Sequence, residues 1–108
     1  MEKCIIVEGR SDKIQISPLL AEQVVILCTN GTISEDELIA LLTPYEQYEM
    51  VTMFDVDKNG EKLRKLMNRT YSEAQHLIIP KQYIEVAKTP APILIELLKR
   101  AKFIVKEG

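Results

Sequence analysis

A chain of 108 residues, 46% of them hydrophobic, is long enough for one hydrophobic core and too short for two. Its formal net charge of −2 excludes a wholly basic surface, so any nucleic-acid contact must come from a local patch, a bound metal or a partner protein. No apolar run approaches the roughly 20 residues of a membrane-spanning helix, and the N-terminal residues lack the pattern of a signal peptide. We therefore expect a single domain, residues 1–108, in the cytoplasm and away from membranes, with Cys4 and Cys28 as free thiols.

The first predicted element is a strand over residues 4–7, a short apolar run rich in β-branched side chains that is typical of a buried parallel strand. Glu8 and Gly9 follow it directly. The glycine permits a tight turn and a close approach of the backbone to a ligand. Ser11 or Asp12 is then predicted to cap a short helix.

A second buried strand is predicted from residue 24 to residue 27 or 28. It runs into Asn30-Gly31, a pair that signals a hairpin only when it lies between two strands. A helix follows instead, because Ser34 and Glu37 have the spacing of a capping box and the acidic first turn suits the helix dipole. The Asn-Gly turn is therefore predicted to join a strand to a helix.

The most informative segment is the third apolar run, residues 50–54, which ends in two aspartates, Asp55 and Asp57. On a strand, their side chains leave the backbone on the same side, about 6–7 Å apart. Carboxylates at that distance repel each other unless a cation or a proton lies between them. Oxygen ligands at a turn suit a hard divalent ion such as Mg²⁺, so the sequence predicts a magnesium site at the carboxyl-terminal edge of a sheet.

Two other interpretations fit part of this segment. Asp, Asn and Gly are common in turns, and Asp55 or Asp57 could cap the following helix instead of binding metal. The segment also matches the start of an EF-hand loop at Asp55, Asp57 and Asn59. That loop needs a glutamate at its twelfth position, where this chain has Leu66, and a helix before it, whereas the preceding run is typical of a strand. The EF-hand is therefore rejected, and helix capping stays open.

The rest of the chain continues the alternation of strands and helices. Gly60 is predicted to open a third helix, residues 77–79 to form a fourth strand, and Thr89-Pro90 to start a last helix. One face of the third helix is predicted to pack on the sheet through Leu63, Leu66 and Met67. The opposite face is predicted to point toward solvent, with Lys62, Arg64, Lys65 and Arg69.

This alternation predicts a parallel sheet covered by helices on both faces. In such sheets, ligands bind beyond the carboxyl ends of the strands. Glu8 follows strand one, whereas Asp55 and Asp57 follow strand three, so the three carboxylates meet only if these strands are neighbours. That condition predicts the strand order 2-1-3-4.

Three short motifs, each at the end of a predicted strand, resemble those of the toprim family of topoisomerases, bacterial primases, OLD nucleases and recombination proteins. They are Glu8-Gly9-Arg10-Ser11-Asp12, Thr29-Asn30-Gly31-Thr32 and Asp55-Val56-Asp57-Lys58-Asn59-Gly60, the last continued by Glu61 and Arg64. The motifs look most similar to those of the toprim ribonuclease that matures the smallest ribosomal RNA. That enzyme also has a histidine before its fourth strand and a late Pro-Lys, here His76 and Pro80-Lys81.

The resemblance implies a Rossmann-like toprim fold of three layers, α/β/α, and phosphodiester chemistry on RNA or DNA that depends on Mg²⁺ or Mn²⁺. Glu8 would be the general acid or base and, with Asp55 and Asp57, a metal ligand. Contacts to phosphate or nucleic acid are expected from Gly9, Arg10, Asp12, Lys13, Gly31, Thr32, Lys58, Gly60 and Arg64.

Two alternatives to a nuclease or nucleotidyltransferase remain. A non-catalytic module would hold magnesium and phosphate within a nucleic-acid-processing complex, with a basic rim that includes Arg10 and Lys13. A receiver-like signalling domain would accept phosphate on Asp55, but it needs an acidic pair after strand one, and Glu8-Gly9 supplies only one acid of that pair.

Overall fold

The structure is a computed structural model that describes residues 1–106, so the last two residues of the predicted domain lie outside the described residues. Four strands form one parallel sheet, and this part of the chain also contains four α helices. The strands are β1 (Lys3–Val7), β2 (Val25–Cys28), β3 (Glu49–Thr52) and β4 (Gln75–His76). The helices are α1 (Arg10–Ile16), α2 (Glu35–Leu42), α3 (Lys58–Thr70) and α4 (Ala91–Arg100).

The strand order is β2-β1-β3-β4, which confirms the predicted order 2-1-3-4. β1 lies inside the sheet and pairs in parallel with β2 on one side and with β3 on the other. Main-chain hydrogen bonds extend this pairing past the strands. Thr29 donates its N–H to Val7 O, and Met53 donates its N–H to Ile6 O, both at 3.0 Å. The loops that follow β1, β2 and β3 therefore leave the same edge of the sheet side by side.

The side chains of β1 alternate between two hydrophobic cores, one on each face of the sheet. Ile5 and Val7 pack with residues of α1 and α4, whereas Cys4 and Ile6 pack with residues of α2 and α3. All four side chains are fully buried. A strand covered on both faces needs apolar side chains at every position, which explains the uninterrupted apolar run in the sequence. The predicted three-layer α/β/α architecture is confirmed.

Two helices begin differently from the prediction. Gly9 occupies the N-cap position of α1, and Asp12, one of the two predicted caps, accepts the N–H of Gly9 at 3.1 Å from the third helical position. The third helix was expected to open at Gly60, but α3 begins at Lys58. The reason is that Asp57 caps it, since its Oδ1 accepts the N–H of Gly60 at 2.8 Å.

The fourth strand lies two residues earlier than the predicted 77–79. Gln75 and His76 pair with the last two residues of β3, Val51 and Thr52. Beyond that point β3 leaves the ladder and turns into the acidic loop, so the apolar run at 77–79 finds no strand to pair with. The N–H of Leu77 still donates to the carbonyl oxygen of Thr52 at 2.9 Å, and Leu77 and Ile79 are buried in the core that contains Ile5 and Val7.

The structure also bears on the expectations about the cysteines and about membrane-spanning helices. Cys4 and Cys28 are both free, and burial raises the pKa of the Cys4 thiol to about 11. Within residues 1–106, none of the helices combines the length and the hydrophobicity that crossing a lipid bilayer requires.

Candidate metal and catalytic site

The neighbouring positions of β1 and β3 bring Glu8 against the loop that carries Asp55. Glu8 is only 8% exposed, and its Oε2 accepts the main-chain N–H of Asp55 at 2.7 Å. The two residues are 47 positions apart in the chain, so this contact follows from the strand order alone. The structure therefore brings the carboxylate of Glu8 to the loop of Asp55 at the carboxyl-terminal edge of the sheet, through a bond to the main chain.

The other carboxylate oxygen of Glu8 is held by a side chain from α3. Asn59 donates from Nδ2 to Glu8 Oε1 at 2.7 Å, and Thr32 donates from its hydroxyl to Asn59 Oδ1. These bonds connect the loops after β1 and β2 with the start of α3. Asn59 is not among the predicted site residues, although its position between Asp57 and Gly60, inside the third motif, could have suggested a role in the site.

Asp55 is held by main-chain groups of a later segment that precedes α4. Its Oδ1 accepts the N–H of Val86 at 2.8 Å, and the adjacent Val56 donates its N–H to Ile84 O at 2.7 Å. We call residues 84–86 the clamp segment. Ile84 has φ of 63°, in the left-handed region that β-branched residues rarely adopt, and its side chain is 51% exposed. The clamp segment is not among the predicted site residues.

The electrostatic setting of Asp55 is unfavourable for its charged form. Burial raises the pKa of the Asp55 carboxyl to about 6, and the negative charges of Glu8 and Asp57 add to this effect. The hydrogen bond from Val86 N–H acts in the opposite direction. Burial likewise raises the pKa of Asp12, and the charge of Asp55 contributes. The edge of the sheet thus concentrates negative charge that a cation would relieve.

Asp57 behaves differently from Asp55, although the sequence predicts the same role for both. Asp57 is exposed and caps α3 through Oδ1, as the capping alternative proposed. β3 ends at Thr52, so neither aspartate lies on a strand, and the spacing expected from strand geometry does not apply here.

Gly60 is buried against the backbone of Asp55 and is not positioned as an open phosphate contact. A Cβ atom at this position would lie 1.8 Å from the carbonyl oxygen of Asp55. The third motif therefore requires glycine at position 60 because a larger side chain would not fit. Gly31 is required because of its backbone conformation: its φ of 94° lies in the left-handed region, next to Asn30 with φ of 60°.

Arg64 was predicted to lie toward solvent, and this is wrong; its predicted contact with nucleic acid stays a prediction. The residue is 7% exposed. It donates from one guanidinium nitrogen to Asp55 O at 3.2 Å and from another to Glu61 Oε1 at 2.7 Å. Arg64 therefore supports the backbone of the acidic loop. Arg10, Lys13 and Lys58 are exposed, as a basic rim requires.

Two cavities of about 730 and 710 Å³ lie at the opposite, amino-terminal edge of the sheet. Met1, Lys3 and Tyr48 line both of them, and neither Glu8 nor Asp55 does. The cavities and the buried acidic side chains of Glu8 and Asp12 therefore lie at opposite ends of the strands.

Comparison with known proteins agrees with this geometry. The model of the Toprim domain matches residues 3–89. The chain belongs to the toprim family. A solved small TOPRIM domain protein from Bacillus stearothermophilus superposes with a TM-score of 0.93 at 48% identity, over 98% of this chain and 90% of that one. The Bacillus subtilis (strain 168) protein named "Uncharacterized protein YusF" is 42% identical over 105 residues, 97% of this chain and 72% of the relative. The closer similarity to the ribosomal-RNA-maturing ribonuclease is not confirmed by these matches.

The toprim fold suggests a divalent metal, and the acids of this chain fit one in their donor chemistry. Glu8, Asp55 and Asp57 offer only oxygen atoms, and Mg²⁺ typically takes one or two protein carboxylates and keeps several waters. The raised pKa of Asp55 reflects in part the like charge that such an ion would neutralise. No three His, Cys, Asp or Glu side chains of residues 1–106 are already gathered as a ligand group. The fit is therefore to a hydrated ion held by few carboxylates.

Proposed function

We propose that this toprim domain carries out Mg²⁺-dependent phosphodiester chemistry on nucleic acid, as a nuclease or a nucleotidyltransferase, in the cytoplasm and either alone or with a partner protein. The observation that carries the proposal is the contact between the nearly buried Glu8 and the loop of Asp55 at the carboxyl ends of β1 and β3. In parallel α/β sheets, this edge is where ligands bind.

The proposed roles divide among the three acids. Asp55 and Asp57 hold Mg²⁺ or Mn²⁺, which would supply charge stabilisation on phosphate oxygens. Glu8 moves a proton at the attacking or leaving oxygen and adds to the metal site. The exposed Arg10, Lys13 and Lys58, with the main chain at Gly9 and Gly31, contact phosphates along the same edge. An RNA hairpin is one candidate substrate, because of the resemblance to the ribosomal-RNA-maturing ribonuclease.

A second candidate function is a module that binds magnesium and phosphate without turnover. Two observations favour it: Asp57 already caps α3, and both oxygens of Glu8 already accept hydrogen bonds. Each of these bonds uses one of the lone pairs with which Glu8 would accept a proton or bind a metal ion.

The test is a cleavage and nucleotide-incorporation assay with labelled RNA hairpins and single-stranded DNA, in Mg²⁺, in Mn²⁺ and in chelator. Wild type is compared with Glu8→Gln and Asp55→Asn, and with Glu73→Gln as a control at an exposed acid beside the amino-terminal cavity. We expect activity to vanish in the first two variants and to persist in the control. Equal activity in all three variants would refute the enzymatic proposal. Metal-dependent binding that weakens steeply with salt, without turnover, would establish the second candidate instead.

A further inference from the structure

The feature that the proposed roles leave unused is the pair formed by Asn59 and Thr32. We propose that Asn59, itself oriented by Thr32, is a positioning residue that holds the carboxylate of Glu8 in its working orientation at the metal site. The proposal rests on the proposed function, and it assigns a role to a side chain outside the motif acids.

The polarity of the hydrogen bonds fixes which way the amide of Asn59 faces. An ionised carboxylate only accepts hydrogen bonds, so Glu8 Oε1 must face the NH₂ group of Asn59, as it does at 2.7 Å. The amide oxygen then faces Thr32, whose hydroxyl must donate. The acceptor-only carboxylate therefore sets the orientation of the amide, and the hydroxyl of Thr32, which can donate or accept, stabilises that orientation by donating to Asn59 Oδ1.

Burial makes this orientation matter. At 8% exposure, Glu8 has little access to water as a replacement partner. Its Oε2 is held by the main-chain N–H of Asp55, which no substitution other than proline removes. Its Oε1 depends on Asn59, so the rotation of the carboxylate is controlled by one replaceable side chain. Thr32 was expected to contact phosphate, but here its hydroxyl is committed to Asn59.

The first experiment measures Mg²⁺ binding by titration calorimetry with the metal alone. Groups that orient a metal-binding carboxylate typically change metal affinity by 10–100-fold when they are removed. We expect Asn59→Ala to weaken Mg²⁺ binding about 10-fold and Thr32→Val to weaken it less. Thr32→Ser, which keeps the hydroxyl, should bind as wild type does. Asn68→Ala makes the same substitution in the same helix, where Asn68 contacts His76 and not Glu8, and serves as the matched control.

A second experiment needs no metal. In nuclear magnetic resonance spectra of the ¹⁵N-labelled chain, the side-chain NH₂ protons of Asn59 should exchange slowly with water in wild type. They should exchange faster in Thr32→Val and Glu8→Ala, and remain slow in Thr32→Ser. Because Thr32 is exposed, its two variants are expected to keep the wild-type melting temperature, which separates positioning from folding.

The outcomes separate the two claims. If wild type binds Mg²⁺, Asp55→Asn abolishes binding and Asn59→Ala leaves it unchanged, the positioning role is refuted and the proposed function stands. If wild type itself binds no Mg²⁺ or Mn²⁺, the proposed function fails and the positioning role fails with it. Rapid exchange of the Asn59 amide in wild type would also refute the positioning role, whatever the metal does.

Discussion

The two central acids of the site each accept a main-chain N–H, but only Glu8 also accepts a hydrogen bond from the side chain of Asn59. Glu8 is nearly buried, and one of its oxygens is fixed by the side chain of Asn59, whereas Asp55 is fixed by the main-chain N–H of Val86. Side-chain support is lost by a single substitution. Main-chain support survives most substitutions and fails when the backbone moves. The comparison predicts that the Glu8 half of the site is sensitive to side-chain chemistry and the Asp55 half to backbone conformation.

The largest expected effect comes from moving the backbone on the Asp55 side. Gly60→Ala would place a Cβ atom 1.8 Å from Asp55 O, so the acidic loop must shift. We expect a loss of about 3 kcal/mol in the free energy of unfolding, because overpacking outweighs the roughly 1 kcal/mol by which alanine favours a helix over glycine. Mg²⁺ binding should weaken with it. Urea denaturation and calorimetry measure both quantities.

The matched control for this substitution is Gly9→Ala. A Cβ atom there meets Asp12 Oδ2 at 3.9 Å, which is ordinary contact, and the expected loss is below about 1 kcal/mol. Equal destabilisation by the two substitutions would show that the close packing of Gly60 on Asp55 does not support the site.

A smaller effect should come from removing the charge of Asp55. The pKa of Asp55 in the folded chain, about 6, lies above its ordinary 3.8, so the folded state holds this proton more tightly than the unfolded state. The contribution of Asp55 to stability is therefore complete below about pH 4 and is lost as the pH rises through about 6. Asp55→Asn keeps an oxygen that can accept the N–H of Val86, and because asparagine does not ionise, its stability does not fall over this pH range.

We accordingly expect the melting temperature of Asp55→Asn, relative to wild type, to rise between pH 4 and pH 8 in chelator. Adding Mg²⁺ at pH 8 should raise the melting temperature of wild type and leave that of the variant unchanged. Parallel melting curves for the two proteins across this pH range would contradict the burial of charge at Asp55.

The smallest effect is expected at the clamp segment. Ile84→Asn puts a residue that tolerates the left-handed region at φ of 63°, and we expect a gain of about 0.5 kcal/mol, part of the 1–2 kcal/mol that this conformation costs. Mg²⁺ affinity should not change, since the site uses only the carbonyl group of residue 84. Ile78→Asn, at a comparably exposed isoleucine without positive φ, should give no gain in urea denaturation. A weaker Mg²⁺ affinity in Ile84→Asn would contradict the expectation that the site depends only on the main chain of residue 84.

The sequence was sufficient for the topology because the acids themselves constrain it. Requiring Glu8 to meet Asp55 predicts that strands one and three are neighbours, and the structure confirms that order. The capping box at Ser34 also follows from a local pattern. These features depend on side-chain identity, which a sequence displays directly.

What the sequence could not supply involves main-chain partners. The bond from Val86 to Asp55 spans 31 residues and uses an N–H group that every residue except proline carries, so no residue type signals it. Arg64 was assigned to solvent by its charge; its pairing with Glu61 has a spacing that the sequence shows, but its bond to the carbonyl oxygen of Asp55 does not appear in the sequence. The sequence left open whether Asp57 caps a helix or binds a metal ion, and the coordinates show that it caps α3.

The position of Cys4 in the middle of the sheet gives the protein a built-in chemical reporter. The thiolate is the form that reacts with alkylating reagents, and both burial and the raised pKa of Cys4 suppress it in the folded chain. Cys28, partly exposed at the end of β2, is reached by smaller openings. We therefore expect alkylation of Cys4 to report complete unfolding and alkylation of Cys28 to report local opening at the end of β2, without any engineered label.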